Sequence, residues 1–344
     1  MNSLKTNKSN PTLQDVASEA SVSTATASRA LSTPDQVSDH TRKRVDAAVI
    51  KLGYVLNHAA RNLRRQKTGT IVALVPDIGN PHFSNILQGI ETACAEKKLK
   101  VLIADTRKPS MADQMNSDYF SQANCDGIIC LDGHISIAAV RERNPKLPPI
   151  VMAGEWSNDP EVPNAMINNV LGATLATTHL IELGHTRIGH VTGSLTHKPG
   201  SDRLQGFRAT LESHNLDPDQ AWFYEGDYDL SVGSDAAEVW LKSDKKPTAV
   251  FCASDLIAIG FISRLHEAGV SVPKDVSVVG YDNIDIAGHF IPHLTTIHQP
   301  RRAVGEKAAK LLLNLMENGA PDKDNKPLDP WIVVRKSTAP ANQS

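Results

Sequence analysis

"VASEASVSTATASRALS", Val16–Ser32, is an odd composition for a helical stretch. Ser and Thr tend to avoid helix interiors, because their hydroxyls offer the backbone competing local hydrogen bonds. Yet Ala and Leu recur here at helical spacing, and a single arginine, Arg29, stands near the end. Short polar side chains on a helix suit a surface that lies flat against something polar and closely contoured.

The flanks complete a pattern. Thr12 followed by Asp15 resembles an N-cap with an acid in the first turn, and Leu13, Val16, Ala17 and Ala20 form an apolar stripe at helical spacing. "SVS" breaks that helix, and Ser23 can cap a second, Thr24–Leu31. Two short helices separated by a few residues read as a helix-turn-helix. Pro34 breaks the chain again. Ser38 can cap a third helix that Gly53 ends, with Val45, Ala48, Val49 and Leu52 as its core face. The second helix of such a unit enters the major groove with its N-terminal residues at base edges. Thr24, Ala25 and Thr26 are short enough to let the backbone approach, and Ser23 and Ser28 beside them are further candidate contacts. Arg29 could grip a guanine with two hydrogen bonds, worth about 1–3 kcal/mol of discrimination. A three-helix bundle that binds protein, with Arg29 a solvated charge, is the alternative.

Charge is distributed to match. Through Thr70 there are 11 Lys and Arg against 5 Asp and Glu, a balance of +6; the remaining 25 and 33 give −8. A basic head on an acidic body points to a polyanion-binding segment joined to a separate globular part. The chain has 344 residues, 40% of them apolar, enough for about two domains and a small third unit. No apolar run approaches the roughly 18–20 residues a membrane helix needs. The polar start "MNSLKTNKSNP" has no signal-peptide core. A cytoplasmic protein with no membrane partner is expected. Cys94, Cys125, Cys130 and Cys252 form no CxxC pair, and the 13 histidines form no HExxH, so no metal and no cofactor is expected.

The run "TLQDVASEASVSTATASRALSTPDQVSDHTRKRVDAAVIKLGYVLNHAARNL" resembles the DNA-binding headpiece of the LacI/GalR repressors along its whole length. The resemblance extends the implied DNA contacts to Thr12, Asn57, His58, Ala60 and Leu63. It also marks two departures: Ala27 stands where the family usually has Val, and Leu56 where it usually has Pro. "NHAARNLRRQKTGT", Asn57–Thr70, reads by itself as a basic helix of about two turns, marginal in isolation, or as a charged linker. The resemblance implies hinge helices that pair on DNA, with Leu63 wedged into the central minor groove of a pseudo-palindromic operator.

From Thr70 onward, apolar β-rich runs alternate with amphipathic helices: "TIVALVPD", "VLIADT", "DGIICLDG", "PIVMAGE", then "RIGHVTG", "WFYEGD", "TAVFCASD" and "VSVVGYD". Such alternation implies α/β architecture with parallel sheets buried on both faces, here as two doubly wound lobes. Ligands in such folds bind beyond the carboxyl ends of the strands. Those ends supply Asp77, Asn80, His82 and Phe83 in the first series, and Arg203, Tyr228, Asp255, Asp282 and Gln299 in the second. Carboxylates, an arginine, an amide and aromatic faces suit a polyhydroxylated ring. Each is otherwise a loop residue or a cap; Asp255 could simply cap a helix from Leu256. His185 and His190 invite a catalytic reading, but packing roles at a strand start suit them better.

"RLQGF", "VPKDVSVVGYDNIDIA" and "PHLTTIHQP" resemble the periplasmic-binding-protein-like core of the same family. The likeness implies effector contacts at Arg203, Asp255 and Asp282, with Tyr228 and Phe83 facing the ligand. "STATASRAL", "TIVALVPDIGNPHFSNILQGIE", "PTAVFCASD" and "GYDNIDI" most resemble the family's cytidine-responsive members, so a nucleoside or sugar effector is implied. The expected division is an arm at 1–11, a headpiece at 12–56, a hinge at 57–69 and a core at 70–344. Within the core, lobe 1 is expected at about 70–167 and 300–330, and lobe 2 at about 168–298 with a last strand near 331–335. No tetramerising leucine heptad follows, which points to a homodimer. The expected function is allosteric control of transcription, most simply repression. A transport solute-binding protein, or an enzyme acting on a sugar or nucleoside, is the alternative, although GxGxxG, P-loop and GxSxG motifs are missing.

Overall fold

The computed structural model describes residues 11–55, 67–107, 124–321 and 326–341. The chain divides into two compact units, Met1–Gln66 and Lys67–Ser344.

The first unit contains three helices: α1 (Leu13–Glu19), α2 (Thr24–Ser32) and α3 (Asp39–Leu52). Their ends obey local chemistry. Thr12 and Asp15 form a reciprocal capping box, with Thr12 N–H donating to Asp15 Oδ2 at 2.8 Å. Ser23 accepts from Thr26 N–H at 3.1 Å, and Ser38 from Thr41 N–H at 3.3 Å. Gly53 closes α3 at φ +63°, a left-handed conformation that costs glycine little. Val16, Ala20, Ala30, Val45 and Ala48 form the core, with Val22, Leu31, Val49 and Leu52 packed at its edge. Ala27 is fully buried, so the missing Val methyls come out of the core. The Arg44 guanidinium donates to the carbonyls of Ala20 and Ser21, clamping the turn between α1 and α2.

The second unit is built on two sheets. The first comprises β1 (Thr70–Val75), β2 (Lys100–Asp105), β3 (Gly127–Cys130), β4 (Ile150–Ala153) and β5 (Asn164–Ala165), all parallel, in the order β2-β1-β3-β4-β5. Helices α4 (His82–Glu96) and α5 (Ile137–Arg143) follow β1 and β3. The second sheet holds β6 (Ile188–Thr192), β7 (Phe223–Glu225), β8 (Ala249–Cys252), β9 (Ser277–Asp282), β10 (Thr295–His298) and β11 (Trp331–Val333). Its order is β11-β10-β9-β8-β6-β7, parallel except for the antiparallel β10–β11 pair. Helices α6 (Asn169–Glu182), α7 (Lys198–Ser213), α8 (Leu230–Lys242) and α9 (Asp255–Glu267) cover it.

Helix α10 (Arg301–Asn318) returns the chain to the first sheet, where Val304, Ala308 and Leu312 join the core that Ile71, Ile90 and Ile129 make. It approaches α4 backbone to backbone: a Cβ on Gly89 would stand 2.1 Å from the Arg302 carbonyl oxygen. The central strands β1, β3, β8 and β9 are buried along nearly their whole length, which explains their continuous apolar runs. All four cysteines are buried and form no disulfide among the described residues. Among those residues no helix is long and apolar enough to cross a membrane.

Candidate functional site

In the first unit, α2 presents Thr24, Ala25 and Arg29 to solvent, with Thr26 and Ser28 half-buried and Ala27 and Ala30 turned into the core. Ser23 is exposed at the helix head, its hydroxyl 2.8 Å from that of Thr26. The solvent face is therefore a low ridge of hydroxyls and a methyl with one cation one turn along. Arg29 rests against its own helix, donating from Nε to the Ala25 carbonyl at 3.3 Å. Thr12 is exposed at the head of α1. Asn57, His58, Ala60 and Leu63 lie outside the described residues.

In the second unit, the carboxyl ends of both sheets face one cleft. Its inner compartment is lined by Asn80, His82 and Phe83 from the loop after β1 and the head of α4, and by Arg203, Tyr228, Asp282 and Gln299 from the second lobe. Seven of the nine expected effector residues thus stand together. The amide of Gln299 and the imidazole of His82, at 3.1 Å, both meet Asp282 Oδ1. Asp282 sits at φ +118°, a backbone conformation rare for any residue but glycine. Such outliers persist where surrounding structure holds a side chain for a purpose. Burial opposes its charge, but His82, Arg203 and Arg301 together hold its carboxyl below the usual carboxylate range. Arg203 stacks 3.8 Å over the Tyr281 ring and donates to Asn169 Oδ1 at 2.9 Å and the Ala253 carbonyl at 2.6 Å. The Tyr228 hydroxyl is buried with no hydrogen-bond partner among the described residues. A buried hydroxyl without a partner costs free energy that a ligand can return.

Two expected residues stand elsewhere. Asp255 lies behind the wall of the cleft. It is fully buried, accepting from Ile284 N–H at 2.8 Å and Thr296 Oγ1 at 2.5 Å. Burial and then the Asp282 charge push its carboxyl well above the ordinary range, and its two oxygens tie β10 to the β9 exit. Nor does it precede its helix; α9 starts at Asp255, and Ser254 is the cap, accepting from Ile257 N–H at 3.1 Å. Asp77 lines an outer compartment instead, paired with Arg107 at 2.7 Å.

That outer compartment holds side chains the strand-end reading passed over: Asp132 after β3, Glu155 after β4, and His134 and His197 at the mouth. Glu155 and His197 lie 3.3 Å apart, and the His197 and His134 Nε2 atoms 2.9 Å apart. The hydrogen bond to Glu155 outweighs burial and raises His197 above the usual histidine range. Asp132 in "CLD" and Glu155 in "AGE" follow their strands much as Asp282 ends β9, so the carboxyl-end signal in the sequence covers them too.

His190 and His185 play packing roles. His190 stacks between Phe207 and Phe251 at 5.0 and 4.6 Å and hydrogen-bonds the Phe251 carbonyl at 2.8 Å. His185 bonds Thr248 and Ser277.

Residues 12–57 match the model for bacterial regulatory proteins of the lacI family, and residues 177–338 that of a periplasmic binding protein-like domain. Over 95% of its length the chain is 38% identical to the HTH-type transcriptional repressor CytR of Escherichia coli K12, covering 96% of that protein. The chain belongs to the LacI family. It is 36% identical to the HTH-type transcriptional repressor PurR of Aliivibrio salmonicida, over 95% of this chain and 98% of that one. The crystal structure of a lac repressor dimer bound to operator and an anti-inducer aligns with a TM-score of 0.83 and 28% identity, covering 96% of this chain and all of that one. As a LacI-family member this protein is a DNA-binding regulator of transcription with an effector-binding core. The enzyme and transport alternatives therefore fall.

Proposed function

We propose that this LacI-family regulator is a cytoplasmic homodimer that represses transcription from a pseudo-palindromic operator and answers to a nucleoside or sugar bound in the cleft. Two α2 helices would read successive major grooves through Ser23, Thr24, Ala25, Thr26, Ser28 and Arg29, with Thr12 near the backbone. Asn57, His58, Ala60 and Leu63 would contact the operator centre. Asp282 would accept from vicinal hydroxyls, while Arg203, Asn80, His82 and Gln299 fix the ring and Phe83 and Tyr228 face its apolar surface.

The observation that carries the effector reading is Asp282 itself: an ionised carboxylate, buried, at φ +118°, on the wall of a cleft edged by two aromatic rings. Effector and operator would be coupled by about 1–3 kcal/mol, through different contacts in the two lobe arrangements. A thermal-shift screen of nucleosides, free bases and sugars tests this, because a ligand of the native state raises the melting temperature. Hits are then added to the protein on operator DNA. The reading predicts at least one hit that changes operator affinity; a screen with no hit would remove the small-molecule effector.

A further inference from the structure

We infer that the cleft selects against phosphorylated ligands, so that the effector is the uncharged or amine-bearing nucleoside or sugar and not its phosphate ester. This rests on the effector reading above and narrows it.

The argument begins with charge. The outer compartment is lined by five carboxylates, Asp77, Asp132, Glu155, Asp227 and Asp229, against one guanidinium, Arg107. Arg107 is already paired with Asp77 at 2.7 Å. Among the described residues lining either compartment there is no lysine. The inner cation, Arg203, is committed to Asn169, to the Ala253 carbonyl and to the Tyr281 face. His82 is engaged by Asp282, and His197 by Glu155 and His134.

Two helix ends of the kind that often receives phosphate are occupied too. At the head of α4, the amide N–H groups of His82, Phe83 and Ser84 donate to Asn80 Oδ1, Asn80 O and Pro81 O. The head of α8 is capped by a carboxylate: Asp229 accepts from Val232 N–H at 3.0 Å and from the Ser231 hydroxyl at 2.7 Å. A phosphate entering this mouth would lose hydration, meet net negative charge among the described residues and find no uncommitted cation among them. Excluding a competitor by repulsion is as effective a route to specificity as added attraction. A nucleoside or an amine meets no such penalty.

The test is calorimetric titration of the full chain with cytidine, adenosine and ribose, each against its 5-phosphate or 5′-monophosphate, and with 5′-O-methylcytidine and 5′-amino-5′-deoxycytidine. For a dianion a few ångströms from several carboxylates in a water-filled mouth, Coulomb repulsion predicts binding weaker by about tenfold or more. The gap should shrink as salt rises from about 20 to about 500 mM, since the Debye length falls severalfold. It should also shrink in the Asp227→Asn/Asp229→Asn double variant, where asparagine keeps the α8 cap. The methyl ether and the amine should bind like the parent. A phosphate that binds as tightly as its parent overturns the inference and leaves the effector reading standing. So does a methyl ether excluded as strongly as the phosphate, because size and not charge would then be the filter. If no parent compound and no phosphate binds, the effector reading fails and takes this inference with it.

Discussion

The His82 imidazole and the Asp282 carboxylate meet 3.1 Å apart, one at the head of a first-lobe helix and the other at the end of a second-lobe strand. The contact spans the cleft and 200 residues of sequence. It belongs to a division of labour between two neighbouring carboxyls. Burial and the Asp282 charge push the Asp255 carboxyl up, while His82, Arg203 and Arg301 hold that of Asp282 down against its own burial. The Asp282 carboxylate on the wall already meets His82 and Gln299. A ligand hydroxyl that donates to Asp282 enters the network that holds the lobes in their present arrangement.

Asp282→Asn removes that charge with almost no change of shape. Hydrogen bonds to a charged group contribute about 1.5–3 kcal/mol each, so effector affinity should fall by about tenfold to a hundredfold. Operator affinity without effector should stay within about twofold, because the asparagine Oδ1 can still accept from Gln299 and His82 and so keeps the bridge between the lobes. Calorimetry with the effector and fluorescence anisotropy with operator DNA separate the two. Undiminished effector affinity would place the ligand outside this cleft.

Arg29→Ala tests base readout by α2. Loss of a bidentate guanine contact costs about 1–3 kcal/mol at the cognate site, whereas random DNA loses only the general attraction of one cation. The ratio of specific to random affinity should therefore fall about tenfold or more. Anisotropy titrations at one salt concentration measure both. Equal losses on the two DNAs would make Arg29 a phosphate contact.

The headpiece was readable because its determinants are local. Thr12 with Asp15, Ser23 with Thr26 and Ser38 with Thr41 each satisfy a helix end within three residues, so composition alone marks the boundaries. The strands were readable from their apolar runs. The cleft was readable only in part. Asp255 and Asp282 are the same residue type at similar places in the alternation. What separates them is Ile284 and Thr296, which meet Asp255 from 29 and 41 residues away. No spacing rule contains that information. Asp132 and Glu155 were within reach of the strand-end rule; the pairing of Glu155 with His197, 42 residues away, was not.

The approach of α4 and α10 was equally hidden, and it is testable. A Cβ on Gly89 would stand 2.1 Å from the Arg302 carbonyl oxygen, and one on Gly305 2.0 Å from that of Ile86. Both obstacles are backbone, so the helices must separate. Gly89→Ala should cost about 1–3 kcal/mol or more through overpacking, lowering Tm by several degrees in a domain of this size. Gly53→Ala is the contrast, since its Cβ meets nothing within 4 Å and the penalty comes from φ +63° alone. Thermal melts of both variants decide the matter. An unchanged Tm for Gly89→Ala would mean that α4 and α10 do not cross this closely.

His190 sets an acid limit on stability. Burial lowers its pKa to about 4, and the Arg203 charge works in the same direction against the hydrogen bond to the Phe251 carbonyl. In the unfolded chain it titrates near the ordinary 6.5. Between those values the unfolded state binds a proton that the folded state refuses, so stability falls as pH drops through that window and levels off below it. The loss from this one residue amounts to about 3 kcal/mol at most, at 1.36 kcal/mol per pKa unit. His190→Phe keeps an aromatic ring between Phe207 and Phe251 but cannot titrate. It should be less stable at pH 7, where the Phe251 carbonyl loses its donor, and should show a shallower decline toward pH 4. His179 and His185, also lowered by burial, leave a residual slope. Urea midpoints measured from pH 7 to pH 4 compare the two proteins. Parallel curves would show that the imidazole is not held neutral in the folded state.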